Sequence, residues 1–233
     1  TLQRSPRTFF RIGVGLTRNS RGGMAVRAIL SLAAVLGLFQ GGPGRGVLLS
    51  TGAFRGNRDR LQFPELAVNR TPIVNMIQLG QALTVRQPPV KALFVYNANP
   101  LSVCPDASRV RRGLARDDLF TVVHEQVMTP TARYADLLLP ATSFLENRDL
   151  YSAYGHFFLG VAEPVIAPYG EAMSNFDLFQ KLARRLGCTN PTFHESVEER
   201  IAAYLHGLAG LPEGADISRV LAGDLVLSTY CRR

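Results

Sequence analysis

The chain has 233 residues, of which 46% are hydrophobic and 19% are charged. This composition excludes an intrinsically disordered chain, and the length is enough for one or two domains with a sizeable core. The net charge of +8 at pH 7 is almost wholly arginine, because Lys91 and Lys181 are the only lysines. The basic residues are scattered, with the densest group at Arg109–Arg116, so we interpret them as a solvated face and expect no nucleic-acid partner.

The cysteines and the apolar runs indicate which metal sites, disulfides and cellular locations the sequence allows. Cys104, Cys188 and Cys231 are far apart and form no C-x-x-C pair, so the sequence predicts no zinc, iron–sulfur or disulfide framework of its own. The apolar run Ala28–Phe39 is shorter than the about 20 residues that a membrane-spanning helix needs. We therefore expect no direct membrane insertion and a cytoplasmic location, although any export signal would lie upstream of Thr1.

The first predicted elements are a strand, a glycine turn and a helix. Phe9–Ile12 reads as a short strand, Gly13 and Gly15 follow it, and a helix is predicted from Met24 to Leu36. A G-x-G turn in this position lets a backbone approach a phosphate, with helix N–H groups aimed at the anion. The third glycine of the dinucleotide fingerprint falls at Arg18, however, so an ordinary turn remains an alternative.

The predicted helix Met24–Leu36 is apolar nearly all round, which predicts that it is buried, and Gly37 is placed to end it. The glycine-dense stretch 41–46 lacks the Lys-Ser/Thr ending of a P-loop, so it is interpreted as a crossover between two lobes. A short strand at Val47–Ser50 and a helix at Asn75–Leu83 lead to the central segment.

The central segment reads as strand, helix, strand and short strand. Ala92–Tyr96 and Leu119–Val123 are apolar runs typical of strands buried on both faces of a parallel sheet. Pro105–Ala115 is predicted as the helix between them, and Leu137–Leu139 as a third strand that Pro140 ends. A right-handed crossover then predicts that the first two strands are parallel neighbours, with their carboxyl ends on one edge.

Polar side chains cluster where these strands end, at Asn97, Asn99, His124, Glu125, Thr129 and Thr131. Ligands of open α/β sheets bind outside the carboxyl ends of the strands. Amide, imidazole, carboxylate and hydroxyl groups can read the edge of a base or a pterin by hydrogen bonds. The alternative is that these residues only cap turns, and that His124 is a satisfied structural imidazole.

After Pro140, Glu146 and Asp149 raise the hypothesis of a carboxylate pair for proton transfer, with ordinary loop carboxylates as the alternative. The remaining predicted elements are a strand at Phe157–Ala162, a helix that begins with a capping motif at Ser174 and ends at Leu186, and helices at Glu195–Leu208 and Asp216–Ala222.

Several segments together resemble the molybdopterin oxidoreductases, the family that includes dimethyl sulfoxide reductase, nitrate reductases and formate dehydrogenases. The segments are RIGVGLTRNSRGGMAVRAILSLAAVLG, LFVYNANP, DLFTVVHEQVMTPTARYADLLLPAT, FLENRDLYSAYGHFFL and PVIAPYGEAMSNFDLFQKLARRLG. The resemblance runs in order from about Phe9 to Gly187. Its most specific part is the string T-x-T-A-x-x-A-D-x-x-L-P after an N-P turn.

The resemblance implies an α/β fold with parallel sheets in Rossmann-like layers and helices on both faces, as in the middle domains of these enzymes. Residues 1–46 would be the end of one α/β lobe, and residues 47–190 a second lobe with the dinucleotide-binding motifs. Residues 191–233 would form a helical C-terminal tail.

The resemblance also implies a cofactor, bis-molybdopterin guanine dinucleotide with molybdenum or tungsten. The residues that it assigns to cofactor binding are Gly13, Gly15, Arg18, Asn97, Asn99, His124, Glu125, Thr129, Thr131 and Asp136. An alternative for Asp136 is that it fixes its loop through backbone amides. No catalytic residue and no metal ligand is assigned within the chain.

Family members carry their metal ligand, and often a 4Fe–4S cluster, upstream of the matched region, and a closing domain downstream. The chain is therefore interpreted as a central fragment of an oxidoreductase that transfers electrons and an oxo group or a hydride, with an electron-transfer subunit as a further partner. Alone it is expected to be inactive. The alternatives are a non-catalytic α/β interaction module and a mononucleotide-binding domain of flavodoxin type.

Overall fold

A computed structural model describes residues 2, 5, 7–40, 42, 44–48, 56–67, 71–152, 158–206, 208, 211, 217–223 and 226–227. The predicted strand residues Leu49, Ser50 and Phe157, the predicted helix start at Asp216 and the thiol of Cys231 lie outside these ranges. The strands are β1 (Phe9–Arg11), β2 (Gly46–Leu48), β3 (Ala92–Tyr96), β4 (Phe120–Glu125), β5 (Leu137–Pro140), β6 (Asp149–Tyr151), β7 (Phe158–Ala162) and β8 (Val226–Leu227). The helices are α1 (Gly22–Val35), α2 (Asp59–Gln62), α3 (Leu79–Val85), α4 (Pro100–Val103), α5 (Ala107–Leu114), α6 (Asn175–Arg185), α7 (Val197–Leu205) and α8 (Ile217–Leu221).

The central sheet has the order β3-β4-β5, and both of its pairings are parallel. Ala92 pairs with Phe120 and Val122 pairs with Leu137, so the strand order follows the sequence. The prediction that the first two strands are parallel neighbours is confirmed. β4 continues two residues beyond its predicted end, however, so His124 and Glu125 lie inside the strand and not in the loop after it.

Helices cover both faces of this sheet because its side chains alternate. Leu93 packs on one face against the cluster that contains Val110 of α5. Phe94 and Tyr96 lie on the other face against Phe179 of α6, with ring centroids 5.4 Å and 5.0 Å from that ring. The predicted α/β architecture with helices on both faces is confirmed for the central sheet.

Two arginines of the predicted solvated face instead join α5 to α3. The Arg109 Nε donates to the Thr84 hydroxyl at 3.0 Å, and the Arg116 Nη1 donates to the Leu83 carbonyl at 2.6 Å. Arg116 also forms a bidentate pair with Asp118. The Arg116 guanidinium, and after it the Lys91 ammonium, hold the pKa of the Asp118 carboxyl well below its ordinary value. A solvated face is therefore the wrong interpretation for Arg109 and Arg116.

The first sheet is a parallel pair, with Phe9 opposite Gly46, and α1 lies between its two strands in the chain. Gly37 ends the helical stretch with a φ of 67°, as its position predicts. The prediction that this helix is buried is wrong, because Val35 is 86% exposed and Met24 is also exposed. In the described part of the chain, α1 packs on β2 and on two flanking 3-10 turns, which cover one side of it. None of the described helices is long and apolar enough to cross a bilayer.

The third sheet is antiparallel and has the order β6-β7-β8. Its β6 was not predicted, and the expectation of parallel pairing does not extend to it. The connection from Tyr151 to Phe158 is too short for a helical crossover, whereas antiparallel strands need only a hairpin. Leu159 of β7 packs against Ile201 and Leu205 of α7 and Val220 of α8. The division of the chain into lobes and a tail stays a prediction.

Close packing of α3 on α5 depends on the absence of a side chain at Gly113. A Cβ atom there would lie 2.4 Å from the Leu83 Cβ atom. We expect Gly113→Ala to lower the free energy of unfolding by about 1–3 kcal/mol, because the overpacked helices must separate. Urea denaturation measures this change.

Gly23→Ala is the matched control, since a Cβ atom at this helical position would meet no atom within 4 Å beyond the local backbone of its own helix. It should stabilise the chain by up to about 1 kcal/mol through its helix propensity. Equal effects of the two substitutions would show that the α3–α5 contact does not constrain position 113.

Candidate functional site

The carboxyl ends of β3, β4 and β5 meet along one edge of the central sheet, at Tyr96, Glu125 and Pro140. We call this edge and the loops that follow it the rim. Asn97 begins the first of these loops with a φ of 50°, in the left-handed region that Asn tolerates better than most residues. The chain reverses here into α4, with Asn99 as the residue before the helix.

A hydrogen-bonded pair joins two loops of the rim. The Thr131 hydroxyl donates to the Asn99 side-chain carbonyl at 2.7 Å and accepts from the Leu101 N–H at 3.1 Å. The amide nitrogen of Asn99 donates to the Ser102 hydroxyl at 3.0 Å. Thr131 is fully buried, so it holds Asn99 in place and is not itself accessible. Asn99 keeps one amide N–H that these bonds do not use.

His124 lies under the rim on the α6 side of the sheet, because it pairs with Tyr96. It is 1% exposed. Its Nδ1 lies 3.2 Å from the Leu139 carbonyl oxygen, which can only accept, so the proton belongs on Nδ1. In the neutral form of the ring the Nε2 atom is then an acceptor, and it is buried without a partner among the described residues. Only one of the two ring nitrogens therefore has a hydrogen-bond partner among the described residues.

The other predicted residues of this segment make local bonds. The Glu125 carboxylate accepts from the Gln126 N–H at 2.8 Å. The Thr129 hydroxyl accepts from the Ala132 N–H at 3.1 Å and caps the turn before β5. The Asp136 carboxylate accepts from the Thr121 N–H at 2.6 Å, which places it at the amino end of β5, away from the rim. This geometry matches the alternative role of Asp136 in fixing its own loop.

The glycine turn lies on the first sheet, apart from the rim strands. Gly13 and Gly15 border an open groove of about 570 Å³, and a Cβ atom at either position would meet nothing within 4 Å. The exposed Arg18 closes the turn through its N–H, which donates to the Gly15 carbonyl. The closest backbone approach is instead at Gly22, where a Cβ atom would lie 2.6 Å from the Leu16 carbonyl oxygen. Sequence reasoning missed this role, although Gly22-Gly23 at a helix start was its signal.

Glu146 is fully engaged in holding two loops together. Its Oε2 accepts from the Ser143 N–H and hydroxyl, each at 2.7 Å, and its Oε1 accepts from the Tyr169 N–H at 2.7 Å. The bonds from Ser143 lower the pKa of Glu146 most, and the bond from Tyr169 lowers it further. A carboxylate held ionised in this way is a poor proton donor near neutral pH. The hypothesis of a proton-transfer pair with Asp149 therefore finds no support in the geometry.

Among the residues that the structure describes, no group of three or more His, Cys, Asp or Glu side chains is placed to hold a metal ion. The polar groups of the rim are instead amide, hydroxyl and imidazole groups beside one carboxylate. This set suits hydrogen bonding to the edge of an organic ring.

Comparison with known families finds one match. The family model described as "Molybdopterin oxidoreductase" matches residues 1–185, which include the glycine turn and the whole rim.

Several curated proteins are similar to the chain. It is 44% identical over 192 residues to "Probable oxidoreductase YoaE" of Bacillus subtilis (strain 168), covering 82% of this chain and 28% of the relative. It is 28% identical over 211 residues to "Biotin sulfoxide reductase" of Cereibacter sphaeroides, covering 83% and 28%. The chain thus spans less than a third of the length of these relatives.

Among solved structures, acetylene hydratase from Pelobacter acetylenicus superimposes with a TM-score of 0.54 and 27% sequence identity. The match covers 67% of this chain and 21% of that structure. It supports the α/β arrangement described above.

The Glu146 bonds predict a pH-dependent stability. Because the native pKa lies below that of the unfolded chain, this stabilisation is present above the unfolded pKa and is lost as the pH falls through the native pKa. We expect Glu146→Gln to lower the melting temperature at neutral pH and to flatten its fall as the pH drops below the ordinary glutamate pKa of 4.5.

The control is Glu171→Gln, since the Glu171 side chain is exposed. Differential scanning calorimetry measures both variants. A Glu146→Gln variant whose melting temperature follows that of the parent chain at every pH would show that these bonds do not stabilise the fold.

Proposed function

The chain belongs to the molybdopterin oxidoreductase family, and from this premise we propose that its rim and glycine turn hold a molybdopterin guanine dinucleotide. The observation that carries the proposal is the hydrogen bond between Thr131 and Asn99, which connects residues 32 positions apart at the carboxyl edge of the sheet. A buried hydroxyl that orients an accessible amide in this way prepares that amide for a ligand. The bond has no counterpart in ordinary turn capping, which is local.

The residues present fit the organic part of such a cofactor. The unused N–H of Asn99 is a donor, and the half-buried Glu125 carboxylate at the end of β4 is an acceptor. A pterin or guanine edge offers both complementary groups. The open space at Gly13 and Gly15 allows a phosphate to approach the backbone, and the exposed Arg18 can neutralise its charge. The described residues do not fit a metal site, so the proposed role is binding.

The predicted binding residues of this segment then have separate parts in the proposed site. Asn99 and Glu125 hydrogen-bond the cofactor, and Thr131 positions Asn99 without contacting the ligand. Thr129 caps the loop, and Asp136 holds β4 and β5 in register from the opposite edge. When bound, the cofactor supplies a molybdenum or tungsten centre at which electrons and an oxo group or a hydride are transferred. The chain itself binds and orients it.

A broader proposal concerns the whole protein to which this chain belongs. We propose a cytoplasmic oxidoreductase with two pterin dinucleotides, a 4Fe–4S cluster in the part that precedes the matched region, and a separate electron-transfer subunit. Its support is the family match and the reductases among the relatives. The match over residues 1–185 favours this proposal over an interaction module or a flavodoxin-like domain.

Asn99→Ala in the protein at its full natural length should lower pterin content more than it lowers stability. The substitution removes an amide that is aimed at the ligand, and one hydrogen bond contributes about 0.5–1.5 kcal/mol. Pterin is measured by fluorescence after oxidative extraction, and stability by the melting temperature of the apoprotein.

The matched control is Asn190→Ala, which removes the cap of the 3-10 turn Pro191–Phe193 and should leave pterin content unchanged. Unchanged pterin content in Asn99→Ala, together with a large fall in melting temperature, would assign Asn99 a purely structural role and contradict the proposal.

A further inference from the structure

Two adjoining cavities, of about 500 Å³ and about 310 Å³, lie between α6, α7 and the segment around α2. We call them together the aromatic cleft. Leu61, Asn175, Phe176 and Arg200 border both cavities, so these residues stand at the junction. None of them belongs to the rim or to the glycine turn.

Arg200 is held rigidly at this junction. Its Nη1 donates to the Arg60 carbonyl at 2.9 Å, and its Nη2 donates to the Thr192 carbonyl at 2.6 Å and pairs with Glu195 at 3.1 Å. The guanidinium also lies 4.3 Å from the centre of the Phe63 ring. The side chain is only 13% exposed. These contacts use both terminal nitrogens, whereas the Nε–H is buried without a partner among the described residues.

Asn175 supplies the complementary atom. Its side-chain Oδ1 is buried and accepts no hydrogen bond from any described residue. Buried polar atoms without partners are rare in native proteins, because each carries a desolvation cost. The junction therefore presents one fixed donor, at Arg200, and one acceptor, at Asn175, and both lack partners.

The smaller cavity is walled mainly by aromatic rings. Phe176, Phe179 and Phe193 border it together with Tyr96, and Phe179 is itself fixed by its contact with Tyr96. Flat walls of this kind favour a planar ring by stacking or edge-to-face contact.

The charges of the aromatic cleft disfavour an anion. The Arg200 charge is paired with Glu195, and Arg148, which borders the larger cavity, is paired with Glu163 and Glu198. Asp149 and Asp177 also border the larger cavity, so its charges disfavour an anion. Around the smaller cavity, Arg200 is the only charged residue among the described ones, and its pairing with Glu195 favours a neutral ligand there.

We propose that the aromatic cleft is a second binding site, which shares only Tyr96 with the rim, for a neutral planar heteroaromatic molecule with a lactam edge. The ring lies among the phenylalanine walls. The lactam N–H donates to Asn175, and the lactam carbonyl accepts from the Nε–H of Arg200. A ligand with this edge satisfies both buried atoms at once, and a rigid, mostly apolar cavity with a few converging polar groups is typical of small-molecule sites.

The test uses isoquinolin-1(2H)-one as the probe and its N-methyl derivative as the control, with binding to the full-length protein measured by isothermal titration calorimetry. The methyl group removes the donor and blocks its place, so the derivative should bind at least about tenfold more weakly. Asn175→Leu should weaken binding of the parent lactam at least about fivefold, because it removes the acceptor at similar volume.

Two further variants keep the test decisive. Phe179→Leu should also weaken binding, since it removes an aromatic wall, and Ser108→Ala on the exposed side of α5 should leave binding unchanged. Pterin content should be unaffected by Asn175→Leu, so failure of this site and failure of the rim proposal are distinguishable. Equal affinity for the two probes, no binding of either, or a parallel loss of pterin content in Asn175→Leu would overturn the proposal of a separate lactam site.

Discussion

The pairing of β4 with a parallel neighbour on each side is the constraint on which the rest of the structure depends. It satisfies the backbone groups of a strand whose residues Thr121, Val123 and His124 are buried, and such groups need internal partners. It also brings three carboxyl ends to one edge, where the loops bearing Asn99 and Thr131 can meet. Helices then cover both faces because apolar side chains alternate across the sheet.

Sequence patterns predicted the elements whose cause is local. The apolar runs of β3 and β4 and the glycine that ends α1 are of this kind, and the structure contains all of them. Features set by distant partners were not predictable. Three examples are the exposure of α1, the burial of His124 and the hydrogen bond that Glu146 accepts from the Tyr169 N–H. Each depends on which part of the chain packs nearby. The motif spacing predicted that the rim residues lie together, but it could not distinguish Thr131, which is buried, from Asn99, which is partly exposed.

Polar residues of the chain are of two kinds. In the first kind, the fold uses the polar atoms for its own hydrogen bonds; in the second kind, a buried polar atom has no partner among the described residues. Glu146, Asp136 and Thr131 belong to the first kind, because described donors and acceptors engage the atoms that a ligand would need. His124 and Asn175 belong to the second kind. The distinction is physical, since a buried unpaired atom costs free energy that an added partner recovers. Residue type alone does not reveal it.

The hydrogen bond from Arg200 to the Arg60 carbonyl joins residues 140 positions apart, whereas β4 pairs with neighbours that lie close in the chain. Closing a longer loop costs more chain entropy, so contacts of this separation form after local ones. We therefore expect the central sheet to form before the contact between α2 and α7. We likewise expect that contact to open before the sheet in the native state, so amide hydrogens of α2 and α7 should exchange with solvent while those of β4 remain protected.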